Sequence, residues 1–130
     1  MKIMVCYNGT EPSKQALRTG REYAKRFAAE MIVVMSLEKG GPDNQGEINE
    51  AKDALAYAKS LVETEGITCR TDLLIHGMEP GRDLVEFATS NDVDLMAIGI
   101  VRKSKVGKLF FGSTAQYVIL NAPCPVLSLK

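Results

Sequence analysis

What this 130-residue chain lacks sets its first bounds. No apolar run approaches the roughly 20 residues that a membrane-spanning helix needs, so no membrane role is expected. Lys plus Arg number 16 and so do Asp plus Glu. With no net charge, no global field draws the chain to nucleic acid or to a lipid surface, and any basic function must be local. There is no CxxC pair and one histidine, His76, which argues against a structural metal. Cys6, Cys69 and Cys124 are odd in number and far apart. They fit reduced, mostly buried thiols in a cytoplasmic protein better than a disulfide framework. Met1 to Tyr7 carries no small-residue cleavage site and runs into Asn8-Gly9, so the amino terminus reads as a strand and not as a signal peptide.

The familiar phosphate motifs are missing as well. Gly107-Lys108 is followed by Leu109 and lacks the earlier glycine of a GxxxxGK[ST] loop, and Gly9 stands alone where GxGxxG would begin. The first strand ends in Tyr7-Asn8-Gly9, without the acidic cluster of a phospho-accepting receiver domain. No nucleophile–base pair stands out; His76, beside Gly77, reads as structural, and the six scattered methionines as core filler. Enzymatic chemistry is therefore not expected, slow hydrolysis of a bound ATP aside.

What is present is a strict alternation of elements. Residues 2–7 form a continuous apolar run, as a strand buried on both faces does. Thr10 caps a helix with Glu11 and Pro12 in its first turn, and Ala16, Gly20, Tyr23, Ala24 and Phe27 fall on one face. Met31–Met35 is a second buried strand, followed by a Gly/Pro-rich loop over 38–46. Ile48, Ala51, Leu55, Ala58 and Val62 repeat at intervals of 3, 4, 3 and 4, the clearest helical period in the chain, with Gly66 as its stop. Thr68 to Ile75 mixes Arg70 and Asp72 with apolar residues, which suggests a half-solvated edge strand. Pro80 opens a short helix closed by Ser90-Asn91, with Leu84, Phe87 and Ala88 inward. Leu95–Gly99 is a buried strand ending in a turn glycine, Arg102 to Lys108 a basic loop, Gly112-Ser113-Thr114 a helix start, and Pro125 to Leu129 a last strand.

The β-α-β-α-β-α-β-α-β pattern implies one α/β domain over residues 1–130, doubly wound. Its expected form is a five-stranded parallel sheet with helices on both faces, because each crossover is right-handed and must cover the sheet. In the order 3-2-1-4-5, the ends of the first and fourth strands flank the point where strand order reverses, which is where such folds hold ligands. A strand ending in Gly99, the cations Arg102, Lys103, Lys105 and Lys108, and hydroxyl residues at a helix start together make an anion cradle.

These residues, over the whole chain, resemble the universal stress protein family. The resemblance rests on Asn8-Gly9-Thr10-Glu11-Pro12-Ser13, His76-Gly77 and Val93 to Gly99. It continues from Val106-Gly107-Lys108 through Gly112-Ser113-Thr114 to Ala122-Pro123-Cys124-Pro125-Val126-Leu127. The family's nucleotide motif is Gly, two residues, Gly, nine residues, then Gly with Ser or Thr; Gly99, Gly112 and Ser113 fall at that spacing. Two positions depart: Arg102 replaces the second glycine, and Asn8 replaces the family's usual aspartate. Family members divide into those that bind ATP or related adenine nucleotides and those that do not.

The resemblance implies an adenine-nucleotide-binding regulatory module, with ATP, ADP or AMP as ligand and magnesium, where it takes part, arriving with the nucleotide. Cys6, Tyr7 and Asn8 would lie near adenine and ribose, and Ser36 would face the base. Ile98, Gly99, Val101 and Arg102 would wrap ribose and phosphates; Gly112, Ser113, Thr114 and Ala115 would hold phosphate oxygens. Ser36 stands where an apolar residue is commoner, which implies weaker packing on the base. An arginine at 102 reads in opposite ways: its Cβ resists the close approach a glycine allows, while its guanidinium pairs with phosphate. Asn8 reads equally as a ribose or base contact and as a strand-ending turn. The alternative is a nucleotide-independent interaction protein in which Arg102 fills the phosphate site. In either case the resemblance implies a homodimer through Val126–Leu129, an apolar edge strand that invites pairing with a second copy.

Overall fold

The computed structural model describes residues 1–40, 42–101, 103–105, 108–110 and 112–130. The chain runs β1 (Lys2–Cys6), α1 (Glu11–Phe27), β2 (Glu30–Ser36), a 3-10 turn (Pro42–Asn44), α2 (Gln45–Glu63), β3 (Cys69–Leu74) and α3 (Pro80–Ser90). It continues with β4 (Leu95–Gly99), β5 (Lys103–Lys105), β6 (Lys108–Phe110), α4 (Ser113–Asn121) and β7 (Val126–Leu129). The main sheet is parallel in the order β3-β2-β1-β4-β7. This is the expected 3-2-1-4-5, with β7 as the fifth strand.

Side-chain alternation along the strands gives each face of that sheet its own core. Ile3, Val5, Met31, Val33, Leu95 and Ala97 pack with Ala16, Leu17 and Ala24 of α1 and Ala51, Leu55 and Ala58 of α2. Met4, Cys6, Ile32, Val34, Met96 and Ile98 pack with Leu84 and Ala88 of α3 and Ala115 and Val118 of α4. Because both faces are covered, the three central strands read as unbroken apolar runs. β3, at one edge and with helix cover mainly from α2, keeps Arg70 exposed and pairs it with Asp72 at 2.9 Å.

Three local expectations are corrected. The 38–46 stretch is not all loop: Pro42–Asn44 make a 3-10 turn, and α2 takes up Gln45 and Gly46. Phe27 does not face inward; it sits in the last turn before left-handed Ala28, 55% exposed, its ring 6.0 Å from that of Tyr23. The basic loop carries a two-stranded antiparallel ribbon, with Lys103 opposite Phe110 and Lys105 opposite Lys108.

Candidate functional site

β1 has β2 on one side and β4 on the other, so the chain winds outward in opposite directions from it and a gap opens beyond its carboxyl end. A cavity of about 330 Å³ lies there. Cys6, Tyr7 and Asn8 reach it from β1, Val34 and Ser36 from β2, and Ile98, Gly99 and Val101 from β4. Gly112 to Ala115 come from the start of α4, and Ser13, Pro80 and Leu84 complete the wall. All the sequence-expected site residues but one are therefore brought together; Arg102 lies outside the described residues.

The anion-binding capacity is concentrated at α4. Gly112, its N-cap, provides no side-chain cap, and the first helical bond runs from Gln116 N–H to Gly112 O at 3.0 Å. The amides of Ser113, Thr114 and Ala115 precede that bond and, among the described residues, have no backbone partner at the positive end of the helix dipole. The start of α1 differs: Thr10 caps it, its side chain accepting from Ser13 N–H. Ser13, nearly fully buried, in turn donates its hydroxyl to Thr10 O at 2.9 Å and accepts from Asn8 N–H at 3.3 Å.

Asn8 lines the cavity, yet its acceptor oxygen is engaged locally. Oδ1 accepts from Thr10 N–H at 3.2 Å and from Thr10 Oγ1 at 2.6 Å, in an Asx-type turn over Gly9, whose φ is +81°. The turn role read from sequence is thus realised.

Gly99 is the last residue of β4 and has a different job from the turn glycine its position suggested. A Cβ added there would lie 2.6 Å from Pro12 Cβ and Pro12 O, so the first turn of α1 rests directly on its backbone. Around Gly112 a Cβ would meet nothing within 4 Å. One motif glycine lets two elements touch; the other borders open space.

Cys6 is buried against the cavity wall, and burial, with a smaller contribution from nearby Cys124, pushes its thiol up to about 12. Cys69 is pushed up to about 11 by burial and then by Glu63, opposed by Lys59. Cys124 is raised by burial, with Asp94 adding to it. Neutral thiols of this kind are poor nucleophiles at neutral pH.

Sequence reasoning missed Asp83. Its side chain, 3% exposed, accepts from Ser36 Oγ at 2.9 Å and holds His76 Nδ1 at 2.7 Å. His76 and Ser36 each bond to the carboxylate and neither to the other. That arrangement supplies no activated nucleophile. The available signal was an acid next to inward-facing Leu84, seven residues after His76-Gly77. Val34 was legible by strand period, two residues before Ser36 on the same face. Among the described residues, no cluster of His, Cys, Asp or Glu is arranged to hold a metal ion, and no helix is long and apolar enough to cross a membrane.

The whole chain, residues 1–130, matches the family described as the universal stress protein family. A universal stress protein of Mycolicibacterium smegmatis is 41% identical over 129 residues, covering 98% of this chain and 96% of the relative. Among solved structures, a universal stress protein from Archaeoglobus fulgidus is similar at a TM-score of 0.88 and 37% identity, covering 100% of this chain and 93% of that one. Another from Archaeoglobus fulgidus, solved in complex with dAMP, is similar at a TM-score of 0.83 and 34% identity, covering 100% of this chain and 98% of that one.

Proposed function

The chain belongs to the universal stress protein family, and from that premise we propose that it is a regulatory module that binds an adenine nucleotide at the carboxyl end of its sheet. The observation that carries this is the cavity at the β1 switch point, whose wall includes the uncapped start of α4 and, from β2, Val34 and Ser36. A phosphate at Gly112–Ala115 meets backbone donors and a favourable dipole. A base two strands away meets an apolar slot, and the roughly 10 Å between β4 and β2 suits a nucleoside between them. The size fits too, since small-ligand pockets start at about 300 Å³. The relative solved with dAMP supports the same choice of ligand.

In this reading Cys6, Tyr7 and Asn8 contact adenine and ribose, and Ile98, Gly99 and Val101 wrap the ribose. Arg102 adds a cation to the phosphates, and magnesium enters with the nucleotide. Among the described residues no group near the α4 start is arranged as a general base, and in this reading ATP is a ligand rather than a substrate, with any hydrolysis slow. Two copies pair through β7, whose outer edge has no partner within the sheet. Three free cysteines suit a reducing compartment, and the cytoplasm belongs to the same proposal.

Titration calorimetry with ATP, ADP and AMP, with and without magnesium, tests it on the wild type and Arg102→Ala. Micromolar binding that weakens in Arg102→Ala is the expected result. Absence of heat with every nucleotide, persisting in Arg102→Gly, overturns it in favour of a nucleotide-independent homodimeric interaction protein.

A further inference from the structure

Ser36 is the last residue of β2 and half-buried, and it lines the crevice together with Val34, two residues before it on the same face of the strand. A serine hydroxyl has one hydrogen to donate and two lone pairs, and in an open pocket it rotates to suit whatever faces it. Here the rotation is stopped. Asp83 Oδ2 lies 2.9 Å from Ser36 Oγ, and its other oxygen lies 2.7 Å from His76 Nδ1. An ionised carboxylate accepts and cannot donate, so both bonds carry their hydrogens towards Asp83. The carboxylate is almost fully enclosed, which makes abandoning either donor costly. Ser36 is left with lone pairs only on the crevice side.

We propose that Ser36, held by Asp83 and His76, is an obligate hydrogen-bond acceptor in the crevice and selects 6-aminopurine over 6-oxopurine nucleotides. This rests on the nucleotide reading of the site and adds to it the rule by which the base is chosen. An amino group at C6 donates to the Ser36 lone pairs. A carbonyl at C6 sets acceptor against acceptor, and the serine cannot turn its hydrogen to relieve the clash without stripping a partner from Asp83. Asp83, which is not itself among the lining residues, is a positioning residue acting through Ser36, and His76 holds its second oxygen.

AMP and inosine monophosphate share the ribose and phosphate and differ only along this edge of the base, in the C6 group and in the N1 proton that accompanies the carbonyl. Calorimetry on the wild type is expected to give AMP an advantage of about tenfold or more. Ser36→Ala removes the acceptor and brings the ratio to about threefold or less. Asp83→Ala frees the hydroxyl to donate, so the affinity for inosine monophosphate rises in absolute terms, a gain that damage to the fold cannot produce. A wild type that binds both nucleotides equally, or a ratio that Ser36→Ala leaves unchanged, overturns the selection rule while leaving the nucleotide site standing. Loss of both affinities in Asp83→Ala by one common factor overturns the positioning role. If the wild type binds neither nucleotide, the site itself is refuted and the rule with it.

Discussion

Replacing Gly99 with alanine tests the claim that this glycine serves contact between elements and not ligand approach alone. The new Cβ would lie 2.6 Å from both Pro12 Cβ and Pro12 O, well inside contact distance. A flexible side chain could swing away, but a proline ring and a carbonyl in the first turn of α1 cannot. That turn is tied down by the Thr10 cap and the Asn8–Ser13 bond. Overpacking a tight site costs about 1–3 kcal/mol, and two rigid partners put Gly99→Ala at about 3 kcal/mol or more. At about 2.1 cal/mol/K per residue, a chain of this length unfolds with an entropy of about 0.27 kcal/mol/K, so Tm should fall by about 11 °C. Gly112→Ala is the control, with ordinary φ (−62°) and nothing within 4 Å of its new Cβ. It should leave Tm within about 2 °C, because surface changes of this kind stay within about 0.5 kcal/mol. Differential scanning calorimetry of the three proteins decides the matter. A Gly99→Ala melting point indistinguishable from wild type would refute the packing argument, as would equal losses in the two variants.

Thr10→Ala removes the α1 cap and the hydroxyl donor to Asn8 Oδ1, leaving the backbone N–H donor in place; a loss of about 1 kcal/mol, about 4 °C in Tm, is expected in the same calorimeter. A maleimide should label half-buried Cys124 before Cys69 and Cys6 in the native protein, as mass spectrometry of tryptic peptides would record; early labelling of Cys6 would contradict its burial. The fold favours the neutral forms of Cys6 and Cys69, so their stabilisation is complete below the ordinary thiol value of 9.0 and is lost above it, up to about 12 and about 11 respectively. Urea midpoints measured from pH 9 to pH 11 should fall, each thiol contributing about 1.4 kcal/mol per pH unit, and Cys6→Ala should flatten the slope; a flat wild-type profile would count against both shifts.

Much of the architecture was legible because the central strands are buried on both faces. Nothing but apolar runs can occupy β1, β2 and β4, and the 3-4 spacing of Ile48 to Val62 leaves little choice for α2. The crevice was legible through the Gly99 to Gly112-Ser113 spacing and the reversal of strand order. Three things were not. The ribbon over Lys103–Lys105 and Lys108–Phe110 is short and mostly polar, so no period announces strands there. Phe27 lies on the apolar stripe of α1, but the left-handed Ala28 ends the helix just beyond it and the ring stays exposed. Asp83 looks in sequence like an ordinary acid in a helix's first turn. Its importance comes from Ser36, 47 residues earlier, meeting it across the fold.

β4 separates the crevice from the outer boundary of the sheet by a single strand's width. Gly99 is paired with Leu129, and the next amide, that of Ile100, donates to Leu129 O. Whatever shifts Gly99 by a fraction of an ångström is passed to the last ordered residue of β7 through one peptide group, with no helix or loop in between to absorb it. Under the proposed function, the nucleotide site inside and the pairing edge outside would be joined by a mechanical link about 5 Å long.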